Sequence, residues 1–275
     1  MYIRKTTILM ALVAGLPLMN CGNSKNNTDD VNQINSSVIS DETIPETVKN
    51  LVKVVAENDS AGFAKLVSYP LQRPYPLHDI DSPQQMSEYY RNLVDDSLKN
   101  IIIKSGSEKW SEYGWRGWSL DDGRYIWVDD NVYDVSYISS AEQKNIDSLS
   151  KVEIASIEPS IREGWRPIMC LKNAESGDVY RIDSKLESEP SENHFRLAVY
   201  KSDSNLSGYP SLLMDGVMDV EGSAGNIIYT FHDNSQNGNY IIQPESSESS
   251  DPVIIQPSGE NVLLKRAYWH ELINR

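Results

Sequence analysis

The sequence has few of the residues that build most metal and catalytic centres. Its 275 residues include two cysteines, Cys21 and Cys170, and four histidines. Two cysteines are too few for a disulfide framework or a cysteine-based zinc site. No two histidines stand at the spacing that puts two ligands on one helix face, and no H-E-x-x-H motif occurs. We therefore predict no metal site and no cofactor.

Basic patches and the common catalytic motifs are also missing. Asp and Glu together number 40 against 25 for Lys and Arg, which gives a net charge of −15 without any basic stripe. This balance argues against nucleic-acid binding, because that function needs clustered positive charge. The sequence lacks a G-x-S-x-G nucleophile elbow, a phosphate-binding loop and a dinucleotide fingerprint. A carboxylate pair for glycoside hydrolysis stays open, because its separation is a three-dimensional property.

Apolar runs long enough to span a bilayer are absent, but a shorter one stands near the start. Residues 8–18 are apolar and follow Arg4 and Lys5, which is the layout of a signal peptide. The run ends at Leu-Met-Asn-Cys, residues 18–21, and a polar tail follows. This resembles a bacterial lipoprotein signal with a relaxed lipobox, in which Asn20 replaces the usual small residue. The resemblance implies cleavage before Cys21, lipidation of Cys21, and an exported protein anchored to the outer membrane or cell surface. A plain signal peptide and an uncleaved anchor are the alternatives.

Residues 1–20 form the predicted signal peptide. The rest of the chain divides into three parts by composition. Residues 21–42 are polar and lack aromatic residues, which predicts a flexible tether. From residue 43 onward, capping signals and apolar spacing predict a helix that begins at a capping box of Thr43 and Glu46, a second that begins after residues 57–60, and a third that begins at Ser82-Pro83. Three prolines within residues 70–76 predict an extended segment between the second and third helix. Residues 160–275 form the third part, which is rich in strand-forming residues.

Aromatic residues concentrate in residues 109–139, which hold four of the six tryptophans. Turn signals at residues 121–123 and 129–131 divide this stretch and predict a three-stranded antiparallel meander. The rings either pack in a core or line a pocket or a stacking surface. Together with three tyrosines nearby, they are our candidate ligand-binding residues: Tyr69, Tyr89, Tyr90, Trp110, Trp115, Trp118 and Trp127.

The predicted order of elements in residues 43–155 is helix, helix, extended segment, helix and antiparallel sheet. This order, the segment SYPLQRPYPL and the segment WSEYGWRG resemble NTF2-like (SnoaL-like) α+β domains of secreted bacterial proteins. The resemblance implies a cone in which helices pack on a curved antiparallel sheet and leave a pocket. Members of this family use that pocket for catalysis, binding or dimerisation.

The third part of the chain predicts a second, all-β domain. Eight short β-rich runs lie between residues 165 and 266, and turn signals such as Asn237-Gly238 separate them. Short strands at regular intervals, separated by turns, predict a small barrel or sandwich. Cys170 lies in one of these apolar runs, so we expect a buried thiol rather than a nucleophile. The fold class predicted for the whole chain is α+β.

The absence of a catalytic constellation favours a lipid-anchored envelope protein of the binding type. Its expected partners are the membrane, through Cys21, and a small ligand, a glycan or an envelope protein. The alternative is a pocket enzyme, of the hydrolase or isomerase type, that uses His78 with a nearby carboxylate. That hypothesis requires His78 to point into a cavity within hydrogen-bond reach of the acid.

Overall fold

The computed structural model describes residues 44–186, 194–222, 225–235, 238–244 and 251–274. These residues form a mixed α+β structure with two antiparallel sheets, which confirms the predicted fold class. The signal, Cys21 and the tether lie outside the described residues. Among the described residues, the helices are too short or too polar to cross a membrane.

Seven α-helices occur in the described residues, and local signals explain where several of them begin. Asp59, Ser82 and Asp95 each accept a hydrogen bond from a backbone N–H in the first turn of the helix that follows. This contact satisfies donors that have no partner within the helix. The helices are α1 (Glu46–Ala56), α2 (Ser60–Leu66), α3 (Pro83–Leu93), α4 (Asp96–Ile103), α5 (Ser140–Ser156), α6 (Pro159–Arg162) and α7 (Trp269–Leu272).

The smaller sheet has four strands, whereas the sequence predicted three. Its strands pair in chain order as β1 (Trp110–Glu112), β2 (Trp118–Leu120), β3 (Ile126–Val128) and β4 (Val132–Val135). The prediction was wrong because a 3-10 turn, Gly114–Arg116, divides the first predicted strand in two. The two predicted turns do lie between β2 and β3 and between β3 and β4.

Helices α1 to α4 and one face of the smaller sheet share a single hydrophobic core. Its members lie on both sides of the helix–sheet contact, and many are wholly buried. Burial of one large apolar side chain stabilises the folded state by about 1.5–3 kcal/mol relative to leaving it exposed. Core residues with no exposed surface include Leu51, Phe63, Met86, Leu98, Ile126 and Val128.

The larger sheet has nine strands and is nearly barrel-shaped. Each strand from β5 to β12 pairs with the next, and β13 pairs with β5. Because Leu264 alone separates β12 from β13, the chain links the two ends of the sheet and makes it barrel-like. The strands are β5 (Trp165–Lys172), β6 (Val179–Lys185), β7 (Phe195–Tyr200), β8 (Leu212–Glu221), β9 (Asn226–Asp233), β10 (Gly238–Gln243), β11 (Val253–Ile255), β12 (Asn261–Leu263) and β13 (Lys265–Ala267). The eight predicted runs all form strands, and the last one is broken in two.

The barrel wall has a second buried surface on its outside. Cys170, Tyr200 and Trp269 form a small core there with other residues of β5 to β7 and α7. Arg181 is fully buried in the same region, where its guanidinium binds Asp183 and lies 4.4 Å from the Trp269 ring. Burial raises the pKa of the Cys170 thiol, and the thiol is 1% exposed. The expectation of a buried, unreactive cysteine fits this position.

The proline-containing segment before α3 joins the two sheets. The backbone N–H of Arg73 and the guanidinium of Arg266 both donate to the Asp79 carboxylate, Arg266 at 2.9 Å to each oxygen. The Tyr75 hydroxyl donates to Glu153 of α5 and accepts from the backbone of Trp269. The segment therefore contacts the smaller sheet, α5, the barrel and α7.

Candidate functional site

The side of the smaller sheet that faces away from the helices carries aromatic rings. Along β3, Ile126 and Val128 are buried in the helix–sheet core, whereas Trp127 between them is half-buried and is not part of that core. Strand residues alternate between the two faces, so Trp127 lies on the outer face. Tyr133 of β4 follows the buried Val132 and has no opposite residue on β3, because the pairing of the two strands shifts register at this point, and its ring lies beside that of Trp127.

Three rings on this outer face form a continuous surface. The Trp127 ring centroid lies 5.2 Å from that of Tyr113 and 6.3 Å from that of Tyr133. Trp115 lies in the 3-10 turn that follows Tyr113, with 59% of its area exposed, and the Arg116 guanidinium is 5.2 Å from its ring. We name the four residues Tyr113, Trp115, Trp127 and Tyr133 the aromatic face.

Polar groups surround the aromatic face. The Tyr113 hydroxyl donates to Asp122 Oδ1 at 2.9 Å, and this hydrogen bond raises the pKa of Tyr113. The Tyr133 hydroxyl donates to the Arg116 carbonyl at 2.8 Å. Burial, followed by the charge of Asp134, raises the pKa of Tyr133. Both tyrosines are thus neutral at physiological pH, with their ring surfaces next to carboxylates and a guanidinium.

Local backbone geometry allows the Trp127 ring to lie flat on the turn before its strand. Gly123 has a φ of +82°, and a Cβ there would lie 2.5 Å from Trp127 Cζ2. Asp121 and Asp122 also have positive φ. This is the Asp-Asp-Gly turn that the sequence predicted, and its glycine leaves the space that the indole occupies.

The candidate rings chosen from the sequence divide between the core and the aromatic face. Trp110 and Tyr90 are each 4% exposed and lie in the helix–sheet core, so they cannot contact a ligand at the surface. Trp118, Tyr69 and Tyr89 pack against the same core. The hydroxyl of Tyr69 donates to the Ala64 carbonyl, and that of Tyr89 to Glu142. Trp115 and Trp127 remain as surface candidates.

Sequence reasoning missed two members of the aromatic face, Tyr113 and Tyr133. Strand alternation gives no signal for Tyr133, because the buried Val132 and Val135 are three residues apart and strict alternation would put Tyr133 on the same face as Val135. A register shift in the pairing of β3 with β4 leaves Tyr133 without an opposite residue and puts both valines in the core, and the linear sequence does not show this shift.

The barrel contributes a cavity of about 280 Å³ at one of its ends. It lies among the turns that connect β5 to β6, β7 to β8 and β11 to β12, above the apolar interior of the barrel. Burial raises the pKa of Tyr180 in this cavity to about 12. Lys201 Nζ, at its edge, donates to Asp178 Oδ2 at 2.9 Å. The cavity is lined by Asn173, Glu175, Ser176, Asp178, Tyr180, Val199, Lys201, Leu212, Tyr240, Gln256, Glu260 and Val262. No linear pattern connects these residues.

His78 lies at the surface, where its imidazole is 54% exposed. Its Nε2 is 3.0 Å from Glu271 Oε1, so a carboxylate is within hydrogen-bond reach, but it comes from α7 and not from the helix–sheet part. His78 does not line the barrel cavity. The pocket enzyme hypothesis required an enclosed His78, and this position argues against it.

The helix–sheet part is filled by its own side chains where it was expected to hold a pocket. Trp110, Tyr90 and Phe63 occupy the space between helices and sheet, and Trp110 Nε1 donates to Ser105 Oγ. The exposed aromatic face and the barrel cavity are therefore candidate binding surfaces. Comparisons of the chain with protein-family models, with curated proteins and with solved structures find no match.

Proposed function

We propose that the protein is a non-catalytic binding protein of the bacterial envelope, anchored by a lipid on Cys21, and that its aromatic face binds a glycan. The observation that carries the proposal is the continuous ring surface of Tyr113, Trp127 and Tyr133 on the side of the sheet away from the core.

The chemistry of the aromatic face suits a sugar ring. Tyrosine and tryptophan offer a flat apolar surface with a polar edge, and they lose little side-chain entropy on binding. The C–H faces of a pyranose can stack on such rings. The carboxylates of Asp122 and Asp134 and the guanidinium of Arg116 stand beside them as partners for sugar hydroxyls. An anionic protein with these groups favours a neutral or amine-bearing glycan over an acidic one.

The proposal keeps the NTF2-like resemblance for residues 43–155. Its support is the element order: α1, α2, a bridge between Leu71 and Ile80, α3, α4, and then a four-stranded antiparallel sheet. In this proposal the family's internal pocket has been replaced by core side chains, and the ligand binds on the outer face of the sheet.

The glycan proposal can be tested with residues 22–275, which contain every described residue. Binding to an array of bacterial envelope glycans is measured first, and calorimetry then quantifies the best ligand. We expect Trp115→Ala and Tyr113→Ala each to weaken binding by about tenfold or more, as is typical of aromatic side chains that carry binding energy. Tyr209→Ala is the matched control, because Tyr209 is 63% exposed but lies on the barrel between β7 and β8.

Two outcomes would overturn the glycan proposal. One is the absence of binding to every envelope glycan, and the other is equal affinity for wild type and the two aromatic-face variants. The anchor is tested separately, by mass spectrometry of the mature N-terminus and by membrane fractionation. Cys21→Ser is expected to release the protein from membranes, whereas Cys170→Ser is expected to leave it bound.

A second candidate function is the binding of a small polar molecule in the barrel. The cavity of about 280 Å³ at the end of an eight-stranded meander favours it, because ligand sites often lie at the mouths of such barrels. The lining combines the tyrosines Tyr180 and Tyr240 with Lys201 and several acids. Leu212→Trp would fill the cavity, so it should abolish binding of such a ligand while leaving glycan binding unchanged.

A further inference from the structure

Two histidines and a glutamate meet where the helix–sheet part contacts the C-terminal helix. One ring nitrogen of His78, one of His270 and one carboxylate oxygen of Glu271 all lie within 4.8 Å of one another. His78 Nε2 is 3.0 Å from Glu271 Oε1, and the two imidazole rings are nearly perpendicular, with centroids 6.2 Å apart. His78 follows the proline segment, and the other two residues belong to α7. Sequence spacing could not show this cluster.

A buried carboxylate holds one of these imidazoles in place. Glu153 of α5 has no exposed side-chain surface, and its Oε1 is 2.8 Å from His270 Nδ1. The same oxygen accepts from the His270 backbone N–H at 3.1 Å and from the Tyr75 hydroxyl at 2.9 Å. When His270 Nδ1 donates to Glu153, the lone pair of the ring is on Nε2. Proteins orient metal-binding histidines with carboxylates in this way.

The position of His78 is fixed from another side. Its ring lies 3.8 Å, centroid to centroid, from the Tyr268 ring, which also stacks on Tyr75 at 6.3 Å. The Tyr268 hydroxyl accepts a hydrogen bond from the backbone N–H of Asp79, next to His78. Packed rings and a buried carboxylate thus position both histidines before any ligand binds.

We propose that His78, His270 and Glu271 bind a divalent transition-metal ion, with Zn²⁺ as the best-matched ion, and that Glu153 is the positioning residue for His270. Two imidazole nitrogens and one carboxylate oxygen are a ligand set that Zn²⁺ takes, with water in the fourth position. Ca²⁺ and Mg²⁺ prefer sites built from oxygen atoms alone.

The distances require a small closure around the ion. Zinc bonds of about 2.0–2.1 Å in a tetrahedron put neighbouring ligand atoms about 3.4 Å apart, whereas the atoms here lie within 4.8 Å. The side chains of His78 and Glu271 are 54% and 42% exposed, so both can turn without disturbing the core. The bound ion would connect the helix–sheet part to α7 and restrain their relative position.

Without an ion, the same residues would form a surface ion pair and a buried carboxylate that fixes α7. Metal binding separates the two interpretations. The protein is residues 22–275 without a histidine tag, treated with a chelator and then titrated with ZnCl₂ by calorimetry. We expect one Zn²⁺ per chain, and Co²⁺ in its place should give the visible absorption of a four-coordinate ion.

Variants identify the ligands. His78→Ala and Glu271→Gln should each weaken Zn²⁺ binding by about tenfold or more. Glu153→Gln should weaken it by roughly 10–100-fold, because Glu153 orients the His270 imidazole. His232→Ala is the control, because His232 is exposed on β9 and bonds to Asn239, away from the cluster. Circular dichroism verifies the fold of each variant. Because His78 and Glu271 lie at the surface, their variants should remain folded.

The result that overturns the proposal is wild-type binding of Zn²⁺ no tighter than that of His78→Ala, or an equal loss in His232→Ala. A second readout is thermal unfolding: Zn²⁺ should raise the midpoint of the wild type and leave that of His78→Ala unchanged. Neither readout depends on a glycan, so a failure of the metal proposal and a failure of the proposed function are distinguishable.

Discussion

Arg73 and Glu142 form a two-pronged ion pair in the interior of the protein. Arg73 Nε lies 2.8 Å from Glu142 Oε1, and Arg73 Nη2 lies 2.9 Å from Oε2. Their side chains are 1% and 0% exposed. Glu142 also completes the capping box of α5 with Ser139, and Arg73 donates to the Tyr137 carbonyl. One buried pair therefore joins the proline segment, the end of the smaller sheet and the start of α5.

Breaking this pair on one side should be costly. Arg73→Met leaves the Glu142 carboxylate buried without its cation, and we expect a loss of about 3–5 kcal/mol in the free energy of unfolding. Urea denaturation measures the loss. The double variant Arg73→Met/Glu142→Leu should recover part of it, because neither charge then remains in the interior.

Arg124→Met is the control for the ion pair. Arg124 forms an exposed contact with Asp121, with 65% of its side chain in solvent, and pairs of this kind contribute about 0–1 kcal/mol. A loss for Arg73→Met as small as that for Arg124→Met would contradict the role of the buried pair.

The sequence predicted elements whose signals are local. Asp59 and Ser82 cap the helices where they were expected to, and the Asp-Asp-Gly turn ends β2 as predicted. Contacts between residues that are far apart in the chain could not be predicted from the sequence. Nothing in the polar face of α5 shows that Glu142 and Glu153 are buried, because their partners come from residues far away in the chain. Barrel closure depends in the same way on pairing of β13 with β5.

The aromatic stretch shows the same limit on a smaller scale. Its composition predicted strands and a cluster of rings, but composition cannot say which face each ring takes. A stability comparison distinguishes the two kinds of ring. We expect Trp110→Ala to cost about 3–5 kcal/mol, because it leaves a large cavity in the helix–sheet core, whereas Trp115→Ala should change stability by about 0.5 kcal/mol or less.

Chemical denaturation with tryptophan fluorescence measures both variants. The two indoles lie close in sequence, and their exposures are 4% and 59%, so each serves as the control for the other. Equal destabilisation would contradict the assignment of Trp110 to the core and Trp115 to the surface.

Burial of Tyr229 predicts a loss of stability in alkali. Burial raises the pKa of Tyr229 in the barrel to about 12, whereas a tyrosine in an unfolded chain has a pKa of about 10. Folding therefore favours the neutral phenol. Its contribution is fully present below pH 10 and is lost as the pH rises from about 10 through 12. In that window this group alone lowers the free energy of unfolding by up to about 1.4 kcal/mol per pH unit.

The Tyr229→Phe variant isolates this contribution. Because phenylalanine does not ionise, the free energy of unfolding of this variant should fall less steeply than that of the wild type between pH 10 and 12. Tyr209→Phe is the control, since Tyr209 is 63% exposed, and it should follow the wild type. Parallel curves for wild type and Tyr229→Phe would contradict the raised pKa.

Gly117 has a backbone conformation and a close contact that exclude a side chain. It lies between the 3-10 turn and β2 with φ of +76° and ψ of −141°, a region that essentially glycine alone occupies. A Cβ there would lie 2.3 Å from the Val128 carbonyl oxygen and 2.9 Å from Asp129 Cα, both of which are backbone atoms. The Gly117 carbonyl also accepts from the Tyr113 N–H at 2.8 Å.

Gly117→Ala should therefore destabilise the protein and disturb the aromatic face together. Gly164→Ala is the matched control, because Gly164 also has a φ of +76° but its Cβ would meet nothing within 4 Å. We expect Gly164→Ala to lower the free energy of unfolding by about 1–2 kcal/mol, because of backbone strain. Gly117→Ala should lower it by at least about 1 kcal/mol more. Urea denaturation gives both values, and near-ultraviolet circular dichroism reports the tryptophan environment. If both variants lose the same free energy and keep the wild-type spectrum, the contact between Gly117 and the end of β3 does not shape this surface.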